Sequence, residues 1–151
     1  MKKWSLAIIP LALLLGCSQQ ALVRKTIQTD QAPAAIGPYS QAVQVGPALY
    51  LAGQLGMDPA TGKLVDGGIQ AQTTRAMENL RAVLAAAGFT FDDVVATQAF
   101  LADMNDFAAF NKIYATYFKN NLPARAVVQP ARLPRDGMVE IMMTAVKSKK
   151  P

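Results

Sequence analysis

In "IQAQTTRAMENLRAVLAAAG", residues 69–88, the hydrophobic period changes from two to three and four. Ile69, Thr73, Ala76, Leu80, Val83, Leu84 and Ala87 recur at helical spacing, and Gly88 stands at a helix C-cap position, so the pattern predicts a helix over 69–87. On its N-terminal side, "SQAVQVGPALYLAG" (40–53) reads as two short strands around the turn dipeptide Gly46-Pro47. "MDPATGKLVDGG" (57–68) adds turn signals at Asp58-Pro59 and Thr61-Gly62. On the C-terminal side, "VVATQAFLAD" (94–103) reads as a strand. Asn105 or Asp106 is then placed to cap a second helix with apolar positions Phe107, Phe110, Tyr114, Tyr117 and Phe118, ended by Asn120-Asn121 and Pro123. Strands near 125–130 and 138–146 complete the order ββ(β)-α-β-α-β-β. That order predicts an α+β fold, a mixed β-sheet with two helices packed on one face.

The chain has 151 residues, 52% of them hydrophobic, which suits one packed core. Its beginning is of another kind. "MKKWSLAIIPLALLLGC" (1–17) sets Lys2 and Lys3 before an apolar run too short to cross a bilayer, which needs about 20 residues, and ends in Leu14-Leu15-Gly16-Cys17. This reads as a lipoprotein signal peptide over 1–16, with Cys17 as the lipidated first residue of the mature chain. Cys17 is the single Cys, so the mature domain has neither disulfide nor thiol nucleophile. Residues 17–24 read as lipidated Cys and tether, of which seven extended residues reach about 23 Å. A domain over 25–147 and a basic tail over 148–151 follow. Such a chain is expected in the cell membrane or outer membrane, facing the periplasm, with Ser18 after the Cys favouring the outer membrane.

The net charge of +5 is carried by the termini: Lys2 and Lys3 belong to the signal, and Lys147, Lys149 and Lys150 sit in the last five residues. Between Arg24 and Val146 ten basic residues face ten acidic ones, so no nucleic-acid face is expected. The absence of His removes the Ser-His-Asp triad, the Cys-His pair and the commonest metal ligand. Asp92-Asp93 and Asp103 with Asp106 read as caps at element ends, and "GQLGMDPATG" (53–62) lacks the context of a phosphate loop. Chemistry is left to Arg, Glu, Tyr and backbone amides.

"LPARAVVQPARLPRDGMVEI" (122–141) places charges inside apolar runs. Arg125 heads a strand and shares a face with Val127 and Gln129; its planar fork suits a carboxylate, either a ligand's or that of an acidic side chain. Glu140 lies between Val139 and Ile141, where an apolar setting would raise its pKa toward acid–base work. A buried pair with Arg125 or Arg132, or exposure at a strand edge, would explain it equally. Tyr39 follows Gly37-Pro38 and reads as a packing aromatic. Gly53 ends a strand as a bend, a bulge or a bare backbone facing a ligand.

"APAAIGPYSQAV", "LYLAGQLGMDPATGKLV", "QAQTTRAMENLRAVLAAAG", "LADMNDFAAFNKIY" and "PARAVVQPARLPRDGMVEI" follow one another as in the Rid family of reactive-intermediate deaminases (YjgF-like proteins), and the likeness covers about residues 25–147. The resemblance implies a chorismate-mutase-like fold, a homotrimer with sites in the intersubunit clefts, and no cofactor or metal. It also implies hydrolytic deamination of 2-imino and 2-enamino acids to 2-oxo acids and ammonia. Residue by residue, Arg125 matches the Arg that binds the substrate carboxylate, and Glu140 the Glu that positions or activates water. Tyr39, Gly53 and Asn111 match residues that line the site. Arg125 and Glu140 are then expected on neighbouring strands facing one cleft, with Arg132 and Arg135 left as loop or interface charges. Ala52 replaces a Ser found in many deaminating members and Val127 a Cys, which bears on substrate choice. The signal peptide is the third departure. A binding module that holds a small carboxylate without turnover is the alternative.

Overall fold

Period-two alternation buries Val139, Ile141, Met143 and Ala145 on one side of the last strand and leaves Glu140, Met142 and Thr144 half-buried on the other. The same alternation organises the whole sheet. The computed structural model describes residues 22–148; the signal segment, Cys17, most of the tether and the last three residues of the tail lie outside them. Strands β1 (Arg24–Ile27), β2 (Ala42–Val45), β3 (Ala48–Leu55), β4 (Val94–Leu101), β5 (Ala124–Val128) and β6 (Val139–Val146) form one sheet in the order β1-β2-β3-β6-β4-β5. Neighbours are antiparallel except β4 and β5, which are parallel. The α+β layer expected from the sequence is present.

Helices α1 (Gly68–Ala86) and α2 (Phe107–Tyr114) cover one face. From α1, Met77, Leu80, Val83 and Leu84 are buried against the sheet, each Leu stabilising by about 1.5–3 kcal/mol. The Gly88 C-cap is as read, with φ +77°. Asp106 stands at the N-cap position of α2, as read, without a side-chain hydrogen bond, and Asp103 caps the tight turn Met104–Asp106 before it, its carboxylate accepting the Asn105 N–H at 2.8 Å. Two expectations need correction. The helix is shorter than its apolar pattern, because a tight turn at Ala115–Tyr117 takes over and packs Tyr117 and Phe118 edge-on against Phe91. Arg24, placed in the tether by sequence, is the first residue of β1, where it pairs with Val45.

The other face of the sheet carries no helix among the described residues, and away from Glu140 it is open. Tyr50, Gln98, Ala126 and Val128 are exposed there, beside half-buried Phe100, Met142 and Thr144. On β3 the alternation breaks. Leu51 pairs with Met143 but Gln54 with Ile141, so Ala52 and Gly53 form a bulge opposite Met142. Two side chains brace this region: Asn79 of α1 donates to the carbonyls of Leu55 (3.1 Å) and Met57 (2.9 Å), and Gln72 accepts the Met138 N–H at 2.9 Å.

Candidate active site

Each functional side chain sits on one of two surfaces of the chain. The register pairs Arg125 with Thr97, which is buried on the helix side, and pairs Glu140 with Phe100 and Leu55, which face the uncovered side. Arg125 and Glu140 therefore lie on opposite faces of the sheet, and β4 separates their strands. The expectation of neighbouring strands is corrected here, since β4 lies between β5 and β6. Alternation within a strand gives relative parity only, and the pairing of β4 with β5 and β6 fixes the rest.

On the helix side, Arg125 donates from Nη2 to Asn111 Oδ1 at 2.8 Å. Its guanidinium lies over the Tyr114 ring, 4.5 Å from the centroid, with Phe110 at 5.7 Å. Tyr114 is fixed in turn by donating its hydroxyl to Thr97 Oγ1 at 3.1 Å, and burial pushes its phenol pKa up. No carboxylate pairs with Arg125 among the described residues, so the acidic side chain that could have explained it is missing there. A stacked, amide-oriented fork with open donors suits a planar anion. Asn111, Tyr114 and Arg125 line a cavity of about 400 Å³ together with Phe118 and Leu122.

On the uncovered side, Glu140 lines a second cavity of about 420 Å³ with Pro33, Ile36, Tyr39, Ala52 and Gly53. It makes no ion pair among the described residues, and β6 is central in the sheet, so neither a buried pair nor edge exposure accounts for it. Burial pushes the Glu140 carboxyl above the usual range. Gly53 leaves the space that the Glu140 carboxylate occupies: a Cβ on it would fall upon that carboxylate, with Cδ at 2.8 Å, and Glu140 would have to move. Tyr39 is half exposed, not packed in the core, and its hydroxyl oxygen accepts the Ile36 N–H at 3.4 Å. Buried Gln41 holds this loop, accepting from Thr29 N at 2.7 Å and donating to the carbonyls of Thr29, Ala32 and Pro33.

The model of the family described as Endoribonuclease L-PSP matches residues 29–147. A mouse protein named 2-iminobutanoate/2-iminopropanoate deaminase is 54% identical over 127 residues, 84% of this chain and 94% of its own. The chain belongs to the Rid (YjgF-like) family. Among solved Rid-type structures, a Yersinia pestis protein of the conserved Rid family superposes with a TM-score of 0.80 at 42% identity, covering 83% of this chain and 100% of its own. Escherichia coli TdcF, solved with bound serine, superposes with a TM-score of 0.79 at 39% identity, covering 82% and 99%.

Two features of this Rid domain escaped the sequence reading. Tyr114 is the shelf under Arg125, and its spacing of three from Asn111 on a helix was the available signal. Arg135 lines the Glu140 cavity, although Arg132 is the loop charge expected, forking on Asp136 at 2.6 and 2.9 Å. Of the two departures, Ala52 faces the Glu140 cavity, while Val127 packs against the core and does not line the Arg125 cavity.

Proposed function

We infer that the protein hydrolyses 2-imino and 2-enamino acids to 2-oxo acids and ammonia, at sites completed between copies of the chain. One observation carries the reading. An anion clamp without a carboxylate of its own and a carboxyl with a raised pKa lie on opposite faces of one sheet, so each half-site needs its complement from another copy. The uncovered face with Tyr50, Met142 and Thr144 supports a homotrimer. The relatives named as deaminases, about 50% identical over most of the chain, support the reaction.

Arg125, oriented by Asn111, grips the substrate carboxylate. Tyr39 and the Gly53 backbone bound the pocket opposite. Glu140 takes a proton from water as the oxygen adds to the C=N carbon and passes it to the imine nitrogen, giving a neutral tetrahedral amino alcohol. It then moves the hydroxyl proton of that adduct to the nitrogen as the C–N bond breaks, so imine and water become ketone and ammonia. A raised Glu140 pKa suits both halves of that exchange. The N-terminal sequence supports export and lipidation at Cys17, which would set this chemistry at a membrane surface facing the periplasm. The balanced charge of the domain argues against a ribonuclease, which would need a basic track.

The test supplies the purified full chain with 2-imino acids made in situ by an amino-acid oxidase and follows 2-oxo acid release. The expected result is acceleration over buffer, lost in Arg125→Ala and Glu140→Gln. No acceleration with any side chain would sink the deaminase; ligand protection against melting that vanishes in Arg125→Ala would then favour a binding module. Solution mass checks the trimer. Palmitate labelling that persists in Cys17→Ala would refute the anchor.

A further inference from the structure

The cavity that holds Glu140 is walled largely by apolar groups, among them Pro33, Ile36, Leu55 and Met57, and Arg135 is the one cation among its lining residues. Arg135 makes no hydrogen bond or ion pair through its side chain among the described residues, whereas Arg132 three residues earlier is fully engaged by Asp136. Its backbone is held at φ +57°, ψ +18°, and Asp136 follows at φ +58°. Two successive non-glycine residues in the left-handed region are uncommon, and such strain persists only where its surroundings enforce it. Here they do. The Asp136 and Gly137 amides close on the carbonyls of Leu133 and Pro134, Leu133 is buried, and the Met138 amide is tied to Gln72 of α1. The strained turn thus holds the Arg135 backbone at the lining of the chamber in which Glu140 would direct water, with its guanidinium unengaged among the described residues.

We propose that Arg135 is a specificity residue that receives a second anionic group of the substrate, so that the site takes 2-imino dicarboxylates as well as small apolar imines. The proposal rests on the deaminase reading. With the α-carboxylate on Arg125 of one copy and the imine carbon beside Glu140 of another, the substrate's side chain extends into the roughly 420 Å³ chamber, larger than a four-carbon acid requires. A side-chain carboxylate there meets a planar donor that no acid among the described residues pairs with. A charge-assisted contact of this kind is worth about 10- to 100-fold in affinity.

The experiment compares kcat/KM of the full chain for 2-iminoglutarate and 2-iminobutanoate, each generated in situ, in wild type, Arg135→Gly and Arg135→Lys. Arg135→Gly should lower kcat/KM for the dicarboxylate about 10- to 100-fold, mostly through KM, leave the apolar imine within about twofold, and hold or raise Tm because glycine relieves the left-handed backbone. Arg135→Lys should retain part of the dicarboxylate preference. Equal losses on both substrates, no loss on either, or no wild-type turnover of the dicarboxylate beside good turnover of the apolar imine overturn the proposal. So does a change of solution mass in Arg135→Gly, since Arg135 would then be an interface residue. Calorimetric binding of 2-oxoglutarate against 2-oxobutanoate provides a readout independent of turnover. If neither imine is hydrolysed, the deaminase reading fails, and Arg135 is judged by whether the oxo-diacid binds more tightly in wild type and loses that advantage in Arg135→Gly.

Discussion

Replacing Gly53 by alanine puts a methyl group where the Glu140 carboxylate now lies. Its carbon would stand 2.8 Å from Cδ and 3.0 Å from Cγ of Glu140, with a carboxylate oxygen nearer still. Ordinary carbon contacts begin at about 3.4 Å, so Cδ must retreat by about 0.6 Å and the oxygen by more. Glu140 is half-buried with room to rotate into the cavity, so the fold loses little, about 0.5–1.5 kcal/mol for a displaced rotamer. The chemistry loses far more, because misplacing a reacting group by about 1 Å costs on the order of 100-fold in rate. Gly56→Ala is the control. A Cβ there would sit 2.5 Å from Gln72 Cα and 2.7 Å from the Gln72 carbonyl oxygen, both backbone atoms of α1 that cannot rotate aside. That overpacking should cost about 1–3 kcal/mol. Turnover of in situ 2-iminobutanoate and urea unfolding, measured on both variants, separate the two outcomes. If Gly53→Ala retains activity within about threefold, or unfolds as readily as Gly56→Ala, the placement of Glu140 over Gly53 does not matter as argued.

Glu140→Gln should abolish turnover yet raise Tm near neutral pH. The raised pKa means that ionising Glu140 penalises the folded state; the penalty is absent below the ordinary carboxyl pKa of 4.5 and full above the folded value. The Tm gain over wild type should therefore shrink as pH falls, and a gain that grows in acid would contradict the cause assigned. For Asp93, burial works upward, but the Lys147 contact at 2.7 Å and the Thr90 amide outweigh it, so its pKa is lowered. Its stabilisation exists above the ordinary carboxyl range and disappears as pH falls through the folded value. Asp93→Asn should cost about 1 kcal/mol near neutrality, with the gap closing in acid denaturation profiles. Phe110→Ala, at a fully buried ring of α2, should cost about 3–5 kcal/mol in urea unfolding; a loss under 1 kcal/mol would mean that the α2 packing is misread.

Elements with a strong period were legible in the sequence, and relations between elements were not. α1 was visible from Ile69 to Ala87 because its buried stripe alone sets the period. β1 was hidden because Arg24, Lys25 and Thr26 are exposed at a sheet edge and only Ile27 is buried, which leaves no alternation to read. Arg125 and Glu140 were identifiable as charges within apolar runs and through family likeness. Their separation onto two faces depends on registers set by backbone pairing, which carries no residue signature. The Ala52–Gly53 bulge admitted several readings, and what selects one is the Glu140 side chain, 87 positions away. Arg135 gave no signal because a left-handed residue is ordinarily announced by Gly or Asn.

The sheet order has a bearing on synthesis. β6, the last of the six strands in sequence, occupies the slot between β3 and β4, and until Val139–Val146 has been made the nascent chain holds β1-β2-β3 and β4-β5 as two pieces with no strand pairing between them. Closing the sheet is therefore a late, long-range step that waits for β6. A polypeptide truncated between β5 and β6 leaves an edge of each piece unpaired, which makes Val139–Val146 a built-in check on whether the domain is whole.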